Sequence, residues 1–77
     1  MKIRIQYSKF IKINRYRNNS LIDVPDNCSV PDLLHILGVP DEDWKSLFAT
    51  INDKLAANSQ TLKENDSVKL FPVITGG

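Results

Sequence analysis

A chain of 77 residues makes one small domain and buries roughly 60% of the surface that its unfolded form exposes. It has material for one hydrophobic core but not for a deep enclosed active site as well, which weighs against an enzyme acting alone. With 42% hydrophobic and 25% charged residues, a net charge of +1 and no long apolar run, its composition is that of an ordinary globular protein and excludes a membrane span.

Ile3, Ile5 and Tyr7 alternate with Lys2, Arg4 and Gln6, the period of a half-buried strand. This pattern starts directly at Met1, so no signal peptide is expected. From Lys9 to Asn19 the pattern is ambiguous between an extended hairpin arm and a loop. Ile11 and Ile13 alternate, yet Asn18-Asn19-Ser20 marks a turn. Residues 1–19 hold Lys2, Arg4, Lys9, Lys12, Arg15 and Arg17 with no acid, whereas the rest of the chain has four lysines against nine acids. Such a basic end attracts nucleic acid or an acidic protein surface, or is merely a solvated face. Leu21, Ile22 and Val24 predict a second strand, stopped by Pro25-Asp26-Asn27.

A helix follows. Ser29 is a good N-cap, Asp32 stands three residues on, and Pro31 is tolerated in a first turn whose amides lack helical partners. Val30, Leu33, Leu34 and Leu37 form one apolar face. Gly38 ends the helix and Pro40 prevents its resumption. Cys28 and His35 have no partners at ligand or catalytic spacing, so they read as a packed thiol and a surface imidazole. A lone cysteine excludes an internal disulfide and suits a reducing compartment, so the cytoplasm is expected.

Asp41 to Ser46 reads as a turn or short helix in which Trp44 lids one end of the core. Leu47 to Ile51 is a third strand, Asn52-Asp53 a turn, and Leu55 to Ala57 a brief edge strand. The turn Lys63-Glu64-Asn65-Asp66 leads into a last strand where Val68 and Leu70 alternate with Lys69 and Phe71. Pro72 cannot donate to a ladder, so regular pairing should stop about there. Residues 73–77 then leave as an extended tail. One amphipathic helix on a small mixed sheet of four to five strands, an α+β roll, satisfies this order.

Residues 50–77 resemble the MoaD/ThiS family of β-grasp, ubiquitin-like sulfur carriers. Their pattern of an Asn-Gly strand end, a Leu before a Gly-Asp turn, a hydrophobic strand and a Gly-Gly terminus is met by Ile51-Asn52-Asp53, Leu62-Lys63-Glu64-Asn65-Asp66, Val68-Lys69-Leu70-Phe71-Pro72 and Gly76-Gly77. Asp53 and Asn65 replace the family's turn glycines, and Asp and Asn tolerate a left-handed backbone best among the other residues. Phe71-Pro72 is closer to the small subunit of molybdopterin synthase than to the thiazole carrier. The resemblance implies that the first and last strands lie parallel at the centre, and that residues 1–77 are a single carrier domain.

The resemblance also implies the chemistry. An adenylyltransferase of the ubiquitin-activating type uses ATP to convert the Gly77 carboxylate to an acyl-adenylate, and persulfide sulfur displaces AMP to leave a thiocarboxylate. This donates sulfur in the large catalytic subunit of molybdopterin synthase or an equivalent recipient. The carrier itself needs no bound cofactor or metal and is not an enzyme. Thr75, Gly76 and Gly77 form the part of the tail that threads a partner channel, with mobility expected from about Thr75 onward. If Ile3, Ile5, Ala49, Ile51, Val68 and Leu70 face the helix, Arg4, Phe48, Lys69 and Phe71 face outward. Phe48, Lys69, Phe71 and Pro72 are then the candidate partner-binding residues, unless an aromatic folds under the Trp44 segment. Two alternatives stay open: a carrier for thiazole or another sulfur route, and a TGS-like RNA-binding module. Nucleic acid is the less expected partner, because a TGS module has no need of a terminal Gly-Gly.

Overall fold

The computed structural model describes residues 1–57 and 59–73. Strand β1 (Lys2–Tyr7) buries Ile3 and Ile5 completely and leaves Lys2 and Arg4 exposed, as its alternation requires. Strand β2 (Ser20–Asp23) pairs antiparallel with it, Ile22 opposite Ile3. Residues 8–19 between them form a loop, not a hairpin arm, because a side chain closes the ladder. Asn18 Oδ1 accepts from the Tyr7 amide at 2.9 Å, and Asn18 Nδ2 donates to the Tyr7 carbonyl at 2.7 Å. Asn19 then turns the chain with φ +59°. The loop folds back on the core through buried Ile13 and half-buried Ile11 and Tyr16. It is pinned there by the Tyr7 hydroxyl, which donates to the Tyr16 carbonyl at 2.6 Å.

Helix α1 (Val30–Ile36) carries the expected capping box. Ser29 Oγ accepts from the Asp32 amide and Asp32 Oδ2 accepts from the Ser29 amide, each at 3.2 Å. At the other end Gly38 has φ +81°, a region open to glycine and costly for most other residues. Its amide donates to the His35 carbonyl and the Val39 amide to that of Leu34, both at 3.0 Å, which makes a Schellman ending. Val39 is buried with Leu33, Leu34 and Leu37, so the cap is also a hydrophobic clasp.

Asp41–Ser46 is a 3-10 helix. Trp44 packs half-buried against the core, and its indole Nε1 donates to the Val39 carbonyl at 3.0 Å. Strands β3 (Leu47–Ile51), β4 (Lys54–Leu55) and β5 (Ser67–Pro72) complete a five-stranded sheet in the order β2-β1-β5-β3-β4. The first and last strands pair in parallel at its centre, and the other neighbours are antiparallel. The edge strand is shifted from the expected Leu55 to Ala57. Asn52 and Asp53, at φ +52° and +70°, form a two-residue turn of the primed type that matches strand twist. Lys54 is therefore already opposite Ile51. Pairing ends early because Ala57 enters a turn with Gln60, whose amide donates to the Ala57 carbonyl at 3.1 Å.

Ile3, Ile5, Ala49, Ile51, Val68 and Leu70 share one buried cluster with Leu33, Leu34 and Leu37. That places the helix on one sheet face and leaves the other open. Among the described residues no helix is long and apolar enough to cross a membrane.

Candidate functional site

The open sheet face is built by the alternate residues of the strands whose other residues make the core. Phe71 on β5 stands directly opposite Phe48 on β3. Their rings stack with centroids 5.2 Å apart and planes 23° from parallel, which contributes about 0.5–1.5 kcal/mol beyond burial. Even so, Phe71 stays 36% and Phe48 39% exposed. Neither folds under the Trp44 segment to join the core. Next in the row, Lys69 lies between Gln6 of β1 and Thr50 of β3. Its Nζ reaches Asp53 Oδ1 at 2.9 Å, so the ammonium is drawn toward the β3–β4 turn and away from the aromatic pair. Leu55, opposite Thr50 on the edge, is 73% exposed and continues the apolar surface.

Pro72 closes the strand in a way that suits its missing amide. It pairs with Leu47, and the Val73 amide donates to the Ser46 carbonyl at 2.9 Å, which makes Pro72–Leu47 a pair without mutual hydrogen bonds. The absent donor would point to the β1 side, where β1 has already ended at Tyr7. Antiparallel pairing thus runs one hydrogen bond past the proline. Four of the expected site residues, Phe48, Lys69, Phe71 and Pro72, lie together on β3 and β5. The other three, Thr75, Gly76 and Gly77, lie outside the described residues, as does the expected onset of tail mobility.

Two features escaped sequence reasoning. The first is a knot beneath the tail strand. Asp66 is 8% exposed. Its carboxylate accepts from Asn52 Nδ2 and from the Lys63 amide, both at 2.8 Å, and Asn52 Oδ1 accepts from the Ser67 amide at 2.9 Å. In the sequence these residues read as simple turn formers, because their meeting depends on β3 lying beside β5. Asn65, with φ +68°, gives this turn its left-handed residue, and Asn52 and Asp53 do so in the other. The second is a groove of about 560 Å³ beside the tail exit, whose lining includes Phe10, Ile11, Lys12, Leu47 and Pro72. Only the folding back of loop 8–19 creates it.

Cys28 is buried, and its Sγ donates to the Ser29 carbonyl at 3.5 Å. Burial, and secondarily the negative charge of Asp32, push its thiol above the ordinary 9.0. That is the opposite of an activated nucleophile. Among the described residues, no group of three or more His, Cys, Asp or Glu side chains is arranged to hold a metal ion.

No curated protein matches the sequence. Among solved structures, SAMP1 from Haloferax volcanii is similar over 100% of both chains, with a TM-score of 0.71 and 19% identity, a likeness of fold. A chain of the complex of subunits 1 and 2 of molybdopterin-converting factor from Helicobacter pylori is similar over 100% of both chains, with a TM-score of 0.66 and 25% identity. The sequence matches the ThiS family over residues 9–77. With a five-stranded β-grasp sheet around one helix and a family match running to the terminal glycine, the chain belongs to the ThiS family, within the MoaD/ThiS group of ubiquitin-like sulfur carriers.

Proposed function

We propose that this protein is a sulfur carrier whose reactive group is the carboxylate of Gly77, and that it serves as the small subunit of molybdopterin synthase. The observation that carries this reading is the family match through residue 77, on a fold in which the exposed Phe48–Phe71 pair adjoins the Pro72 exit. A carboxylate resists nucleophilic attack because attack adds charge to an anion. An adenylyltransferase of the ubiquitin-activating type would join the Gly77 carboxylate to the α-phosphate of ATP and release pyrophosphate. The terminal sulfur of a persulfide then attacks the acyl carbon and AMP leaves. A thiol reduces the resulting acyl disulfide to a thiocarboxylate and takes up the other sulfur as a disulfide.

The carrier contributes a threadable tail and a docking face, while ATP and catalysis belong to its partners. The full-length likeness to a chain of a two-subunit molybdopterin-converting factor supports a large catalytic subunit as recipient. Phe48, Lys69, Phe71 and Pro72 are proposed to meet that partner. Cytoplasm is the proposed compartment, where the free thiol of Cys28 stays reduced. The ThiS family match favours one second reading, a carrier for thiazole synthesis. Intact mass spectrometry after incubation with ATP, the adenylyltransferase and a persulfide donor tests the first step. One terminal oxygen should be replaced by sulfur, and removal of Gly77 should abolish the change. Sulfur transfer to a molybdopterin precursor, and not to a thiazole precursor, separates the two routes.

A further inference from the structure

Loop 8–19 carries Lys9, Lys12, Arg15 and Arg17 and no acid, and all four side chains are exposed. Among the described residues none of the four is in an ion pair within 4.0 Å, although Lys2 and Lys69 both are. Asp43 lines the tail-exit groove with Lys12, and Asp41 lines a neighbouring hollow with Arg15, without closing on either cation. At the tip Phe10 is 74% exposed, and Lys9 Nζ stands 5.4 Å from its ring centroid. The loop is held in place by Ile13, Tyr16 and the Tyr7 hydroxyl. Its Phe10, Ile11 and Lys12 border Pro72, while Arg15 and Arg17 extend the positive surface from there past Asp41 toward β2.

We propose that this basic loop is a second docking surface, which meets an acidic protein rim around the channel that takes the tail. The inference rests on the sulfur-carrier reading. Gly77 lies five residues beyond Pro72, so the tail reaches at most roughly 17 Å when fully extended. Any enzyme that works on the terminal carboxylate must therefore bring its channel mouth close to the tail root, and the loop borders that root. Lys12, with Lys9 at the Phe10 tip, stands nearest the mouth, and Arg15 and Arg17 carry the positive field along the flank, away from the reacting atoms. The four cations accelerate and orient the encounter, and leave the chemical step unchanged. An acidic rim is the complementary surface. The exposed Phe10 tip adds an apolar anchor at the groove beside Pro72.

The test compares the wild type with a variant carrying K9Q, K12Q, R15Q and R17Q. The assay is ATP–pyrophosphate exchange by the adenylyltransferase of the same organism, at NaCl from about 50 to about 300 mM. The wild-type KM should rise steeply with salt. The variant should show a KM about tenfold higher at low salt, a flat salt dependence and a kcat within about twofold. A salt-independent wild-type KM overturns the proposal without any substitution, so a misfolded variant cannot rescue it. An unchanged KM in a folded variant also overturns it. So does salt-dependent binding of a single-stranded RNA 20-mer that the variant loses while its KM stays unchanged, which would assign the loop to nucleic acid. Absence of any wild-type exchange, with no adenylate by mass, sinks the carrier reading as well.

Discussion

Replacing Asp66 by alanine removes the acceptor that ties two turns together beneath the tail strand. Two hydrogen bonds of 2.8 Å to a carboxylate disappear, one from Asn52 Nδ2 and one from the Lys63 amide. Bonds to a charged group are worth about 1.5–3 kcal/mol each, and a buried donor left unpaired loses its solvation as well. Part of the Asn52 amide can reach water, so the expected loss is about 3 kcal/mol. That is a large share of the roughly 4–12 kcal/mol expected for a chain of this length. It corresponds to a fall in Tm of about 12–24 °C. Urea unfolding followed by circular dichroism measures the loss, and calorimetry measures the shift. Asn52→Ala removes the same bond and also the acceptor for the Ser67 amide at 2.9 Å. The double variant should therefore lose about 1 kcal/mol less than the sum of the two. A loss below about 1 kcal/mol for Asp66→Ala, or strict additivity of the pair, would refute the knot as a structural element.

Phe71→Ala should cost about 2 kcal/mol of stability, from the lost stack and the ring's partial burial, yet weaken binding to the large subunit at least about tenfold by titration calorimetry. Global unfolding of that variant would show instead that the ring belongs to the core. Gly38→Ala should lose about 1–2 kcal/mol, since φ is +81° and an added Cβ meets Arg15 Nε only at 3.5 Å. That is an ordinary contact, so a simultaneous Arg15→Ala should not restore the loss in urea unfolding. For Cys28, burial and Asp32 hold the folded-state thiol above 9.0, so the neutral form is favoured on folding. Its stability contribution is whole below the unfolded pKa and is lost as pH rises through the folded one. Stability of the wild type should thus fall, as pH rises above about 9, more than that of Cys28→Ala, and iodoacetamide should label the native thiol far more slowly than the urea-unfolded one.

Whatever depends on near neighbours was legible in the sequence. The capping box of Ser29 and Asp32, the Gly38 ending, the left-handed turn residues Asp53 and Asn65, and the in-and-out alternation of β1, β3 and β5 all appear in the structure. The reason is that dihedral preference and side-chain period act over a few residues. The pairing of β1 with β5 came from family likeness, because no local pattern says which strands become neighbours. Only the tertiary structure decided the rest. Loop 8–19 became a pinned cover because its own Asn18 and Tyr16 bond back to Tyr7 on β1, a contact that no local pattern specifies. Asn52 and Asp66 became a knot, and Phe48 and Phe71 a stacked pair, because β3 and β5 align in one register. The groove beside Pro72 exists because loop 8–19 folds back, since its walls come from parts of the chain about 60 residues apart that only packing brings together.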